Sequence, residues 1–302
     1  MKQLFVRACT VVAVFSAAAT GCAAQDSGRP VEARPERDLT QAEQLRISDA
    51  NEVLIKQCMT RAGFSYWTSP RLSLEESRTL GYVADDVDWA RKHGYGSRIL
   101  AKEERARHAN PNLAYRTTLS QERQVAFDTA LDGGRDAPVI SADVPSGGKI
   151  QKRVGGCAAE AEKRLYVDLK AWFTADKTAS NLRPLYVPKV LRDKQFTAAL
   201  KAWSQCMKRA GHPYSDPSAA RQATLRQAGG ARSEDQAFAA EKQLAIADAT
   251  CARDTSLRAI GTEREAYYMN KLRGQYGEAL DTSLRMRREA LARAVKIVGP
   301  RT

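Results

Sequence analysis

The chain has 302 residues, with 48 Lys and Arg against 35 Asp and Glu and a formal charge of +13. Such a balance suits anionic partners, but the charges alternate in sign along most of the chain, and no nucleic-acid partner is expected. The uncharged run from Ala8 to Thr20 is too short to cross a hydrocarbon core as a helix, which takes roughly 20 residues, and it follows the positive Lys2 and Arg7. Residues 1–21 therefore read as a signal peptide.

Ala19-Thr20-Gly21-Cys22 places a small residue before a cysteine. It resembles the bacterial lipobox, in which the cysteine thiol receives a diacylglyceryl group and becomes the new N-terminus. Ala19 departs from the Leu usual there, so ordinary signal cleavage after Ala24, giving a secreted protein, stays open. Two acyl chains on Cys22 hold a protein stably on a bilayer where one is marginal. The expected location is the outer face of the cytoplasmic membrane. Residues 22–39 mix Gly, Pro and charge without periodicity, as a tether reaching about 20–25 Å. Loss of Lys2 and Arg7 lowers the charge to +11, and about 260 residues remain beyond the tether, enough for one large or two small cores.

Thr40-Gln41-Ala42-Glu43 has the form of a capping box, opening a helix that runs to Ala62. Ser73-Leu74-Glu75-Glu76 opens a short second helix, and Val87 to Lys92 gives a turn or two stopped by Gly94 and Gly96. Ser120-Gln121-Glu122 begins an apolar-periodic run through Phe127 and Leu131, and Asp132 to Gly148, with four Gly and two Pro, reads as a loop. From Cys157 to Ala175 one helix places Leu165, Leu169, Trp172 and Phe173 near one face. After a break at Pro184 and Pro188, Phe196, Leu200, Trp203 and Met207 repeat that spacing. Ser233 opens a run through Phe238, Leu244 and Ala247, and Glu263 to Val298 reads as one long helix weakened at Gly274 and Gly277. The fold class is all-α, with a long C-terminal helix.

One segment occurs twice. Gln57 to Tyr66 recurs as Gln205 to Tyr214, identical at seven of ten positions including Cys, Gly and Tyr. Each copy is a helix end stopping on a glycine, and each is followed by a second cysteine, Cys157 or Cys251. The body thus reads as two related halves, 40–182 and 183–302. Cys9 leaves with the signal, and an even set of four body cysteines in an oxidising compartment implies two disulfides. If the halves share a fold, the pairs are Cys58–Cys157 and Cys206–Cys251; a swapped duplication would give a cross-half pairing.

The Cys-Met-x-x-Ala-Gly-Phe-x-Tyr segment at 58–66, Ala90 to Gly96, Leu131-Asp132-Gly133 and Gly155-Gly156-Cys157 resemble segments of uncharacterised secreted lipoproteins of actinobacteria. The resemblance implies export and a helical body, and it carries no activity.

No catalytic, metal or cofactor signature is read. His93, His108 and His212 lie in unrelated contexts, and Gly94-Tyr95-Gly96-Ser97 lacks the lysine and preceding strand of a phosphate loop. Asp85, Asp86 and Asp88 lack calcium-loop spacing and suit a helix N-terminus instead. Glu122 and Glu160 are carboxylates without a known separation. Trp172 and Trp203 sit on apolar stripes and read as core, whereas Trp67 and Trp89 are open candidates for a groove. Arg285, Arg287, Arg288, Arg293 and Lys296 alternate with Met286, Leu291 and Val295, so they are expected to be exposed and are candidate contacts to an anionic surface. The function expected is a non-enzymatic envelope lipoprotein whose helical body binds something. Its partners are the membrane through the lipid anchor and an anionic envelope polymer or an envelope protein. The alternatives are an envelope hydrolase without a recognisable motif and a basic module contacting anionic lipid or wall polymer.

Overall fold

The computed structural model describes residues 37–68, 71–228 and 233–299. The expected leader, Cys22 and the tether up to residue 36 lie outside the described residues. From Asp38 onward the chain is one compact unit, and among the described residues no helix is long and apolar enough to cross a membrane.

Helix α1 (Gln41–Arg61) begins with the reciprocal capping box, Thr40 accepting from the Glu43 backbone and Glu43 from the Thr40 backbone at 2.7 Å. It ends with two bonds, Gly63 N–H to Thr60 C=O at 3.1 Å and Phe64 N–H to Met59 C=O at 3.0 Å, made possible by φ of 80° at Gly63. The second copy ends the same way: Gly211 at φ 83° donates to Lys208 C=O, and His212 donates to Met207 C=O. Met59 and Met207 are both fully buried. The disulfides join Cys58 to Cys157 and Cys206 to Cys251, with Cα separations of 5.4 and 5.6 Å. The repeated segment is therefore a repeated structure, a helix end stapled to a later helix.

The middle of the chain departs from the sequence reading in four places. Ser73 and Glu76 do cap each other, at 2.9 and 3.2 Å, but they close a single turn instead of a helix. After α2 (Val87–His93) come two unexpected helices, α3 (Ser97–His108) and α4 (Pro111–Thr118). Both are mostly polar, burying only Ile99 and Asn112 respectively, so they carry little apolar periodicity. The expected loop after α5 (Gln121–Asp132) contains an antiparallel hairpin, β1 (Val139–Asp143) with β2 (Lys149–Arg153), in register from Val139 opposite Arg153 to Asp143 opposite Lys149. The helix expected over 157–175 is two, α6 (Gly156–Tyr166) and α7 (Leu169–Ser180), split where Val167 takes φ of 66°. Trp172 thereby leaves the stripe and stacks on Tyr166 at 3.9 Å.

Pro184 and Pro188 do not break the chain but lie within α8 (Arg183–Val190). Pro184 occupies the first turn, where no intrahelical donor is lost. Then follow α9 (Lys194–Arg209), α10 (Pro217–Ala228), α11 (Glu234–Asp254) and α12 (Leu257–Val298). The last has 42 residues, about 63 Å at a rise of about 1.5 Å per residue. It starts earlier than expected and runs uninterrupted through Gly274 and Gly277. Tertiary packing stabilises it where propensity is poor.

Two cores result. Leu54, Met59, Phe64, Phe127 and Leu165 centre the first; Leu182, Phe196, Trp203, Met207 and Leu257 centre the second. Helix α12 serves both, giving Ala290 and Ala294 to the first and Leu257, Leu272 and Tyr276 to the second. The halves also interlock through α2, whose Val87 and Ala90 pack on Ala245 and Ala249 of α11.

Candidate functional site

The contact of α2 with α11 is built on a stripe of alanines flanked by two buried acids. Glu241 and Asp248 lie two helical turns apart on α11, hence on one face, and both are buried. The turn Gly94 to Ser97 folds over Glu241, whose Oε1 accepts from the backbone N–H of Tyr95 at 2.7 Å and of Ser97 at 3.2 Å. Gly94 takes φ of 61°, which favours glycine, and a Cβ there would sit 2.8 Å from that same oxygen. Convergent amides of this kind attract anions. Here the anion is the protein's own carboxylate.

Seven residues further along α11, Asp248 accepts from Tyr95 Oη at 3.0 Å and from Trp203 Nε1 at 3.0 Å. Complete burial pushes its carboxyl up to about 6, with Tyr95, Arg221 and Trp203 pulling in the opposite direction. Burial, with the Asp248 charge beside it, raises the Tyr95 phenol well above its ordinary range. Arg221 of α10 donates to Gly81 C=O at 2.7 Å and lies 5.6 Å from the Tyr95 ring; its Nε and Nη2 are buried with no protein partner. One tyrosine thus ties the first half to α9, α10 and α11 of the second.

Trp89 and Tyr95, together with an irregular strap, Arg78 to Leu80, line two cavities. The first, about 230 Å³, is polar and presents Gln41, Arg78, Thr79 and Arg258, with Asp86. The second, about 580 Å³, is lined by the aliphatic Leu45, Leu72, Leu80, Ile99 and Leu100, with Arg71, Glu76, Ser77 and Glu103 among its other residues. Trp89 is 6% exposed and its indole Nε1 is buried with no hydrogen-bond partner in the protein. A buried donor left unmade costs about 1–3 kcal/mol. Neither Glu241 nor Asp248 lines these cavities.

The charged side chains around the cleft hold one another. Arg78 pairs with Asp86 at 2.7 Å, Arg71 with Asp49 at 2.6 Å, Arg258 with Asp85 at 3.2 Å and Lys102 with Glu76 at 2.7 Å. Asp86 also caps α2, accepting from Trp89 N–H at 2.9 Å; that bond, then Arg78, lowers its carboxyl. Asp88 pairs with Arg91. The aspartates near residue 86 are therefore helix-start and ion-pair groups, and among the described residues no cluster of His, Cys, Asp and Glu is placed to hold a metal ion.

Elsewhere the sequence candidates scatter. The largest of the cavities described here, about 870 Å³, lies between the hairpin turn, α7 and α12; its acids are Asp143, Asp168 and Glu278, and no histidine lines it. Asp168 is already committed as the cap of α7. Glu160 pairs with Arg61 at 2.5 Å, and Glu122 lies in the first turn of α5. His93 meets Glu75 and His108 meets Glu104. Trp203 is core, fully buried; Trp67 is exposed, with its ring 5.6 Å from Tyr115. Of the five candidate basic residues near the end of α12, Arg285 and Lys296 are exposed, and Arg287, Arg288 and Arg293 are half-buried. Arg287 pairs with Asp176 at 2.8 Å, and Arg293 donates to Leu165 C=O at 2.7 Å. The expectation that all five are largely exposed is corrected for Arg287, Arg288 and Arg293: packing on α1, α6 and α7 draws this end of α12 inward.

Sequence reasoning had left Trp89 open and missed Glu241, Asp248 and the strap. One signal was available: two acids seven residues apart on the alanine-rich face of α11 stand where a surface helix would place apolar residues. No family model matches the chain, and neither a curated protein nor a solved structure matches it.

Proposed function

We propose that the protein is an exported envelope lipoprotein, held by lipid on Cys22 at the outer face of the cytoplasmic membrane and akin to secreted lipoproteins of actinobacteria. Its helical body acts by binding a partner, without catalysis. The cleft around Trp89 carries this reading, because an aromatic and aliphatic lining with a few polar groups is the usual make-up of a ligand pocket. Of the acids that line it, Asp86 is engaged by Arg78 and Glu76 by Lys102. Two disulfides closing long stretches of chain support residence in an oxidising compartment.

Fractionation tests the address. Cys22→Ser is expected to move the protein from the membrane fraction to the medium, or to stall its processing. Salt-resistant membrane retention of a correctly cleaved Cys22→Ser chain would sink the lipid anchor.

A further inference from the structure

We propose that the two cavities beside Trp89 form one site for a small aliphatic carboxylate, such as a fatty acid, with the carboxylate in the polar compartment and the chain in the aliphatic one. The proposal rests on reading the body as a binding module, and adds the class of ligand.

Three observations converge on that class. The polar compartment offers mainly donors: Arg78, Arg258, Gln41 and Thr79 line it. Its one acid, Asp86, is occupied by the Trp89 backbone and by Arg78. Such a surface fits an acceptor-only group, and a carboxylate brings two acceptor oxygens. Second, Trp89 and Tyr95 line both cavities, so an apolar chain running from one to the other has aromatic rings to lie against. Third, the neighbouring compartment supplies five aliphatic side chains in about 580 Å³, within the size range of small-molecule pockets. Leu100, 61% exposed on α3, contributes to this lining from the solvent side. A wholly polar anion would leave that compartment unused, and a plain hydrocarbon would gain nothing from the guanidinium groups of the polar one.

The strap explains how both ends are served. Arg78, Thr79 and Leu80 line both cavities, and the segment belongs to no helix or strand. Arg78 faces Asp86, so a ligand carboxylate competes with Asp86 for the same guanidinium while Asp86 keeps its backbone partner.

The test uses the full chain carrying Cys22→Ser, purified without detergent from whichever fraction holds it, and titrated calorimetrically with monomeric decanoate. Saturable binding at one site is expected. Leu100→Glu changes a largely exposed side chain, so it is expected to leave the fold intact and weaken binding at least tenfold by setting a charge against the chain. Arg78→Gln removes the guanidinium that lines both cavities and should weaken decanoate by about tenfold, equivalent to about 1.4 kcal/mol, the order of one hydrogen bond. Decane-1-sulfonamide, which has no carboxylate, should bind more weakly than decanoate. Absence of saturable binding up to millimolar decanoate would overturn the proposal. So would binding that both variants leave unchanged, or association only with phosphatidylglycerol vesicles and not with the monomer. Because binding is read in solution, failure of the Cys22 anchor would leave this result intact, and failure here would leave the anchor standing.

Discussion

Asp248→Asn should make the protein's stability less dependent on pH between about 4 and 6. In the unfolded chain this carboxyl ionises near its ordinary value of 3.8, and in the folded protein near 6. Between those values the folded state holds a proton that the unfolded state has lost, so stability falls as pH rises through the window. At about 1.36 kcal/mol per unit, a displacement of about two units costs about 3 kcal/mol once Asp248 is ionised, and the cost is constant above pH 7. Asparagine stays neutral throughout. Its carbonyl oxygen still accepts from Trp203 Nε1, and its amide replaces the other oxygen beside Tyr95 Oη. Acids whose carboxyls are lowered, such as Asp86 and Asp128, act in the opposite sense, losing stability as pH falls, but they are common to both proteins and cancel in the difference. Urea unfolding of the oxidised proteins at pH 4, 5, 6 and 7, followed by circular dichroism, should show the variant gaining on the wild type by up to about 3 kcal/mol across the range. A difference that does not change with pH would refute the burial argument. Asp248→Ala, which strands the Tyr95 hydroxyl and the Trp203 N–H, should instead destabilise at every pH by about 2–4 kcal/mol.

Replacing both Cys206 and Cys251 by Ala should cost up to about 4 kcal/mol, and replacing Cys58 and Cys157 up to about 5, from loop-closure entropy over separations of 45 and 99 residues; non-reducing peptide mapping checks the connectivity independently. Reversing the exposed Arg285 and Lys296 to Glu should leave the melting temperature within a degree or two, whereas Arg287→Glu should lower it by removing the pair with Asp176. Unaltered binding of the double reversal to anionic vesicles would dismiss a surface contact by this helix. Deleting 134–154 and joining Gly133 to Gly155 should give a folded protein with both disulfides, read by peptide mapping and circular dichroism. A Cβ on Gly155 would lie 2.7 Å from the Gly133 Cα, so the two α-carbons are no more than about 4.2 Å apart, close to the 3.80 Å of bonded neighbours.

What the sequence disclosed is what neighbouring residues control. The Thr40 cap, the glycine stops at 63 and 211 and the pairing of four cysteines through a repeated segment all appear in the structure. The long α12 was legible from its stripe. Helices α3 and α4 were not, because few of their side chains are buried and polar helices lack a periodic signal. Nothing at Val167 announces a positive φ, which a β-branched residue rarely adopts, here at the centre of a tight turn in which Asp168 N–H donates to Tyr166 C=O. The cleft was less legible still, since its polar foundation joins Tyr95 to residues 146 and 153 positions away.

The duplication also explains why such a cleft is built once. Aligning Ser120 with Ser233, the caps of α5 and α11, sets Asp128 against Glu241 and Arg135 against Asp248. Asp128 does not clamp a turn. It takes a bidentate pair from Arg116 of α4, both bonds at 2.6 Å. Arg135 falls in the segment leading to the hairpin, which leaves the α5 path at Gly133 and returns at Gly155. The first half therefore lacks the uninterrupted helical face that holds two buried acids in line. In exchange it supplies what the second half receives: α2, the Gly94 to Ser97 turn and Trp89. The polar compartment forms where Ala245 of α11 and Arg258 of α12 meet the irregular segment of the first half, whereas the aliphatic one is lined by residues 45–103 alone, so only the polar compartment depends on both halves being folded at once.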